Sequence, residues 1–396
     1  MRYIKSLLLR LALPFLIKYY RVNVARTLEE KQKVFKFRYD IYRVELAYEF
    51  LDTRSKDGMF YDDYDFMDNT LILYSGDIDH ITSTVRLTVW DKEHLPKKIL
   101  ENFNLKESMV DKINRLGEYH FFQVRKDYRR SLLAIVLLIY TCKAVIDQPQ
   151  LTPDLIFFNC QPGLIKYYLA MGAYPYTHEV IHREYGLLQI PLAMPSFDLT
   201  NLKKNHCLSY HCVKYYAKKL KKNAPFAIYQ SATRNAANVL HPISLYLTPA
   251  ETKKFGEMIS KKNHRERYAF IVSLMKNIVL LSVEKNTPIL RKNLVDFDMY
   301  LIVEGSMGIF LNERVIAKLI PGDIFGEMAL LAEHHRRYTE VTALTDSKII
   351  LIPRNFIKEL QTKNLALANE FLHLLCNSLI DKLEASNRLL AKFNHQ

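Results

Sequence analysis

The chain has 396 residues, enough for two or three domains, each with a core of its own. Hydrophobic residues make up 49% and charged residues 25%, which excludes a disordered, collagen-like or fibrous chain. The 56 Lys and Arg outnumber the 42 Asp and Glu, and the charge of +14 favours an acidic partner: nucleic acid, an anionic membrane surface or an acidic protein. Cys142, Cys160, Cys207, Cys212 and Cys376 form no framework of close pairs, so the sequence reads as a cytoplasmic protein without structural disulfides.

Residues 1–23 carry Arg2, Lys5, Arg10, Lys18 and Arg21 and no acid. The apolar run from Leu7 to Ile17 is interrupted by Arg10 and Pro14 and is too short to span a bilayer. Two readings are open: a basic amphipathic segment lying peripherally on the anionic inner face of a membrane, or a helix packed on its own domain.

Residues 24–200 alternate helical and strand-like patterns. Thr27 to Leu46 predicts a helix, because Thr27 and Glu30 make a capping box and Val34, Phe37, Ile41 and Val44 recur at helical spacing. Residues 70–75 and 83–90 predict strands, the second alternating Val85, Leu87 and Val89. A short strand is expected at 121–124, a buried helix at 131–146 and another strand at 155–159. Such a mixture gives an α+β domain. Residues 201–240, with Lys203, Lys204, Lys214, Lys218, Lys219, Lys221 and Lys222, read as a basic, partly helical linker. Residues 241–396 form the last domain, strand-rich to about 355 and helical beyond. Leu372, Leu375, Leu379, Leu383 and Leu390 make one apolar stripe there, either a homodimer seam or a lid over a pocket.

Within the last domain, Pro321-Gly322-Asp323-Ile324-Phe325-Gly326-Glu327-Met328-Ala329 sets a glycine turn before a helical start, and Arg337 follows. Amides at a helix start hold a phosphate, an arginine fork neutralises it, and a carboxylate accepts from a ribose 2′-hydroxyl. Together with Met299-Tyr300-Leu301-Ile302-Val303-Glu304-Gly305-Ser306-Met307, Val341 and Ala343, the stretch resembles the cyclic-nucleotide-binding domain of catabolite activator proteins and kinase regulatory subunits. The resemblance implies a jelly roll with flanking helices and cyclic AMP or cyclic GMP as effector. It implies that Arg337 pairs the cyclic phosphate, that Glu327 takes the ribose hydroxyl, and that Gly326, Met328 and Ala329 give backbone contacts. Tyr338 stands beside the arginine where a small residue is usual, and Arg336 precedes it. No helix-turn-helix fits after Pro353, so no nucleic-acid partner is expected.

In the first domain, Arg38, Tyr42, Leu46 and Tyr48 are followed by Asp62-x-x-Asp65 and Asp68, by Thr84-Val85-Arg86-Leu87 and by Gly117-Glu118-Tyr119-His120-Phe121-Phe122-Gln123-Val124. These resemble the opening helix, acidic run and central strands of acyl-homoserine-lactone synthases and N-acyl amino acid synthases, which share the GCN5-related acyltransferase fold. Phe121 occupies the place of an arginine in that pattern. Val124-Arg125-Lys126-Asp127-Tyr128-Arg129-Arg130-Ser131-Leu132-Leu133-Ala134 resembles the turn that binds a donor's pyrophosphate, with Leu132 and Ala134 in place of glycines. A bulky side chain there hinders a close backbone cradle for coenzyme A.

The resemblance implies transfer of an acyl chain from acyl carrier protein, or acyl-CoA, to an amine. Glu118 is the candidate base, Arg86 its anchor or a clamp for an acceptor carboxylate, and Tyr168 the donor of a proton to the thiolate. Arg38, Tyr42 and Tyr48 would line the acceptor or acyl pocket. Val124, Arg125, Lys126, Arg129 and Arg130 would meet the donor, and acidic carrier protein suits their charge. Backbone amides at 121–124 would polarise the thioester carbonyl. The two His-Cys pairs of 206–212 lack the spacing of a zinc site, and no metal is expected. Two other functions stay open: a nucleotide-gated protein lysine acetyltransferase using acetyl-CoA, and a degenerate, membrane-associated binding protein. The expected fold class is thus α+β: an acyltransferase-like mixed sheet with helices, then a jelly-roll nucleotide-binding domain with a long C-terminal helix.

Overall fold

The computed structural model describes residues 2–46, 57–106, 110–111, 113–129, 131–177, 180–182, 188–223, 279–292, 298–328, 337–353, 356, 360–362 and 364–393. The chain divides into two compact units, residues 1–160, 164–176 and 191–242, and residues 161–163, 177–190 and 243–396.

The larger sheet is built from β1 (Asn23–Val24), β2 (Thr70–Asp77), β3 (His80–Asp91), β4 (Arg115–Val124), β5 (Leu155–Cys160), β6 (Tyr174–Pro175), β7 (Ile181–His182) and β8 (Leu188–Pro195). Its order is β1-β2-β3-β4-β5-β8-β6, with β7 on β8. β1 to β4 run antiparallel, whereas β4 and β5 are parallel. The interior of β3 is buried on both faces. Val85, Leu87 and Val89 fill one face, and the other holds Thr82, Thr84, Arg86 and Thr88, so polar groups are enclosed there for a reason other than packing. The strand expected at 121–124 is the end of the ten-residue β4. Gly117, Glu118 and His120 break its apolar pattern: Gly117 packs close to Pro153 and Leu87, whereas Glu118 and His120 share the polar face of Arg86 and Thr88.

The helices are α1 (Arg2–Tyr19), α2 (Leu28–Tyr39), α3 (Lys97–Asn102), α4 (Leu133–Asp147), α5 (Ile165–Met171), α6 (Leu199–Lys204) and α7 (Tyr210–Asn223). Residues 201–223, expected as linker, instead belong to the first unit. Val213, Tyr216, Ala217 and Leu220 recur at helical spacing along α7 and are all buried. The lysines between them lie off that stripe and hid it in the sequence. Residues 224–240 of the expected linker lie outside the described residues.

α1 packs on α7. The His211 backbone N–H donates to Ser6 Oγ at 3.2 Å, and the Arg10 guanidinium lies 3.8 Å from the Tyr215 ring centroid. Ser6, Leu9 and Leu13 form the buried side. At 100° per residue, Ile4, Leu8, Leu11 and Phe15 lie opposite them, and these four are 58–68% exposed. The helix is therefore apolar on both faces, and one of them meets solvent. Among the described residues, no helix is long and apolar enough to cross a membrane.

The second unit contains two antiparallel four-stranded sheets. One has the order β10-β15-β12-β13, from Pro288–Leu290, Glu340–Ala343, Met307–Leu311 and Arg314–Leu319; the other has β14-β11-β16-β9, from Ile324–Phe325, Met299–Glu304, Ser347–Ile352 and Val279–Val283. α8 (Leu365–Phe393) packs Ala368, Phe371 and Leu375 on Met299, Leu301, Val303, Ile350 and Ile352. Burying each such large side chain contributes about 1.5–3 kcal/mol. Beyond Leu375 no described side chain of α8 is buried, and Ile380 and Leu383 are exposed. Of the described leucines of the stripe, Leu372 and Leu375 join the core and Leu383 is exposed; the side chain of Leu390 lies outside the described residues.

Candidate active site and nucleotide pocket

The capping box that opens α2 is present: Thr27 Oγ accepts from the Glu30 N–H, and the Glu30 carboxylate accepts from the Thr27 N–H at 3.0 Å. α2 continues into a π-helical stretch, Asp40–Glu45, whose wider turn carries Tyr42. The last turn of α2 places Arg38 inward. A second capping box, with Asp62 as cap, folds Asp63–Phe66 into a short helical turn and presents Asp65 to Arg38. Arg38 Nη1 donates to both Asp65 oxygens at 2.9 Å, and Arg86 Nη1 from β3 lies 3.1 Å from the same carboxylate. Arg86 also pairs with Asp62 and donates to His120 Nδ1 at 3.0 Å. Arg38, Asp65 and Arg86 are fully buried. Burial pushes the Asp65 carboxyl up, but the charges of Arg38 and Arg86 outweigh it and hold the group below its ordinary range. Asp68 is exposed and stands outside this cluster.

Phe121 lies at a bulge. The β3–β4 register shifts between the pairs Thr84–Gln123 and Arg86–His120, and Phe121 takes φ +51°. That region is costly for a bulky aromatic residue. What the bulge provides is direction: the ring stacks on His120 at 4.0 Å and faces the guanidiniums of Arg38 and Arg86 at 4.2 and 4.8 Å from its centroid. The departure from the family arginine thus has a physical account. Two buried guanidiniums already share Asp65, and a third would add an unpaired cation, whereas a π face stabilises both.

Glu118, paired with Thr88 across β3, shares the face of Arg86 and is 2% exposed; its charge acts on Arg86 and Tyr64. β5 pairs with β4 at Leu116, Gly117 and Glu118, and beyond Glu118 β4 runs on without a β5 partner in the ladder. The bulge and Glu118 therefore sit where the sheet opens. Tyr168, on α5, packs at 5.1 Å from the Phe158 ring and 6.3 Å from Phe122. Burial, with Cys160 and Tyr42 nearby, pushes its phenol well up, so it carries its proton at neutral pH. Tyr42 packs 5.5 Å from Phe60. Tyr48 lies outside the described residues.

In the second unit, Gly326 follows β14 with φ +88°, and a Cβ there would come within 2.9 Å of the Asp298 carbonyl, so glycine is required. Arg337 Nη1 donates to the Gly326 carbonyl and Nη2 to the Asp298 carbonyl, each at 2.6 Å. Glu327, 3% exposed, accepts from Lys382 Nζ of α8 at 2.6 Å. Gly326, Glu327 and Arg337 are thus brought together, while Met328 and Tyr338 are exposed. Ala329 and Arg336 lie outside the described residues.

Residues 33–194 match the model of the N-acyl amino acid synthase FeeM family, and residues 280–364 match that of the cyclic nucleotide-binding domain. The chain joins an N-acyl amino acid synthase-type domain to a cyclic nucleotide-binding domain. A curated relative, Pycsar effector protein BcPycTIR of Burkholderia cepacia, is 32% identical over 84 residues, which is 21% of this chain and 28% of that protein. Among solved structures, a CoA-dependent acyl-homoserine lactone synthase, BjaI, aligns over 48% of this chain and 82% of its own at 12% identity and TM-score 0.34. A cyclic nucleotide-binding domain from Methylobacillus flagellatus aligns over 38% and 88% at 20% identity and TM-score 0.32.

Around the synthase-type site, the basic donor loop is partly committed. Arg129 pairs with Glu45 and donates to the Val124 carbonyl at 2.9 Å, and Arg125 lies 3.6 Å from Asp127. Lys126 is exposed, and Arg130 lies outside the described residues. Ser131 Oγ accepts from the Leu133 N–H at 3.1 Å at the start of α4, with Leu132 exposed beside it.

Two features of this domain have no signal in sequence patterns. Gln123 is buried, and neither its amide oxygen nor its nitrogen has a hydrogen-bond partner. Opposite Thr84 on β3, it lies on the face of Arg86. On the other face, a cavity of about 70 Å³ is lined by Leu87, Tyr119, Leu138, Cys142, Met171 and Val213 among others. Burial pushes the Cys142 thiol up to about 12, so it lines the cavity as an inert apolar group. Among the described residues, no group of three or more His, Cys, Asp and Glu is arranged to hold a metal ion.

Proposed function

We propose that the chain is an N-acyltransferase that moves an acyl group from a thioester, preferably on acyl carrier protein, to an amine, under control of a cyclic nucleotide. The observation that carries this reading is Glu118, buried on the face of Arg86 where β4 bulges and parts from β5. Glu118 takes a proton from the acceptor ammonium, and the nitrogen lone pair attacks the thioester carbonyl carbon. Backbone amides of the bulged strand stabilise the oxyanion. The C–S bond then breaks as Tyr168 gives a proton to the leaving thiolate, and the second proton shed by the nitrogen restores the phenol, so that an amide and a free thiol remain.

Three carboxylates, Asp62, Asp65 and Glu118, face two guanidiniums in this region, which suits an acceptor arriving as a cation. Arg86 is committed to Asp62, Asp65 and His120, which supports a positioning role over a clamp on an acceptor carboxylate. Lys126 and the side of Arg125 left open favour an acidic carrier protein, and Leu132 disfavours a close pyrophosphate cradle. Thiol release by the purified chain, with acyl carrier protein or CoA as donor and a panel of amino acids and amines, tests this. Release from neither donor, with or without cyclic AMP and cyclic GMP, would overturn it.

The outward face of α1 fits an anionic lipid surface. α1 carries four cations and α7 five, and neither carries a carboxylate. Apolar insertion with flanking cations is how such helices hold to a bilayer interface. Wild type should sediment with phosphatidylglycerol vesicles more than with phosphatidylcholine vesicles, and the double variant Leu11→Ser, Phe15→Ser should remain in solution. Equal behaviour of the two proteins would remove the membrane from the account.

A further inference from the structure

In the nucleotide-binding domain, the carboxylate that would receive a ribose hydroxyl is already engaged. Lys382 Nζ donates to Glu327 Oε1 and to the Ile324 carbonyl, both at 2.6 Å. Both acceptors belong to the strand and turn that lead into the cassette. The ammonium therefore takes one of the two carboxylate oxygens to which a 2′-hydroxyl could donate. Two donors cannot both take the lone pair they compete for, and Glu327 is too enclosed to turn to solvent.

Lys382 also sits at a telling place on α8. The helix is anchored through Ala368, Phe371 and Leu375, and beyond Leu375 its described side chains are exposed or half-buried. Among the described residues, little apolar burial holds this distal half to the domain, and the contacts of Lys382 are a polar tether there. Arg337 lies beside this pair, its two terminal nitrogens donating to the backbone carbonyls of Gly326 and Asp298.

We propose that Lys382 is an internal competitor for the ribose seat, so that a cyclic nucleotide binds as Lys382 gives up Glu327 and the distal half of α8 is set free. This rests on the reading that the cassette of Gly326, Glu327 and Arg337 binds a cyclic nucleotide. The residue then does two things. It lowers the affinity of the pocket, and it makes occupancy mechanical, because the carboxylate that grips the ribose is the one that lets go of the helix. A ligand shifts such an equilibrium only through a contact that differs between the two states, and Glu327 is that contact.

The test uses the full chain and two variants, Lys382→Met, which keeps the stem of the side chain, and Arg337→Leu. Cyclic AMP and cyclic GMP are titrated calorimetrically, and amide exchange is followed over residues 380–393. Loss of a competing charge-assisted hydrogen bond should tighten binding about tenfold or more in Lys382→Met. Exchange in the distal half of α8 should be fast in that variant without ligand, and in wild type only with ligand. Equal or weaker binding by Lys382→Met, with wild type still binding, would overturn the competitor and leave the pocket standing. Binding by neither wild type nor Lys382→Met would overturn the pocket itself. Unchanged affinity in Arg337→Leu would locate the ligand elsewhere and overturn both.

Discussion

The two domains each bury charge, but they pair it differently. In the synthase-type domain, Arg38, Asp65 and Arg86 come from a helix, a capped turn and a strand, and all three are fully buried. Each element is fixed by its own packing, so the cluster is permanent scaffold. In the nucleotide-binding domain, Arg337 donates to two carbonyls, and Glu327 accepts from a lysine on the distal half of α8, whose described side chains beyond Leu375 are exposed or half-buried. A buried ion pair whose partners cannot move specifies structure, and one whose partner hangs on a loosely packed segment can act as a switch.

The largest effect expected from this contrast is at Asp65. Asp65→Asn leaves two buried guanidiniums facing a neutral amide, and breaking such a pair costs about 3–5 kcal/mol. Thermal unfolding of the synthase-type domain should show it. The sign with pH also follows. The folded carboxyl lies below its unfolded value of about 3.9, so its contribution is present above that value and is lost as pH falls through the folded one. Wild type should therefore lose stability below about pH 4 more steeply than Asp65→Asn.

A smaller effect, of opposite sign, is expected at Gln123. A buried polar group without a partner costs about 1–3 kcal/mol, so Gln123→Leu should raise the unfolding temperature. If the amide waits for a donor or acceptor group of a substrate, KM should rise while stability improves. A variant both less stable and unchanged in KM would make Gln123 an ordinary packing residue. The smallest effect belongs to Lys382. Its side chain is 24% exposed, and Lys382→Met should change unfolding of the nucleotide-binding domain by about 1–2 kcal/mol. A loss as large as that of Asp65→Asn would erase the distinction between scaffold and switch.

Much of this was legible in the sequence where local chemistry decides the structure. The capping box at Thr27 and Glu30 forms as its spacing predicts, and the patterns at 70–75, 83–90, 131–146 and 155–159 lie on β2, β3, α4 and β5. Gly326, Glu327 and Arg337 stand out in the sequence as a turn glycine, a carboxylate and an arginine, and the structure brings them together. α7 was misread because its lysines dominate the composition while four residues at helical spacing decide its packing. The length of β4 was missed because its site-bearing face is polar, which mimics a loop. The bulge at Phe121 has no glycine to announce it, and the bond from Lys382 to Glu327 joins residues 55 apart in sequence, which no local pattern encodes.

The central claim is acyl transfer through Glu118 under nucleotide control. Its most direct test is untargeted mass spectrometry of lipid extracts from a bacterial host expressing wild type, Glu118→Gln or Arg337→Leu. The account predicts an acylated amine with wild type, its absence or a fall of about a hundredfold or more with Glu118→Gln, and an altered amount with Arg337→Leu. The same new product at the same level from all three proteins, or no new product from any, would contradict it.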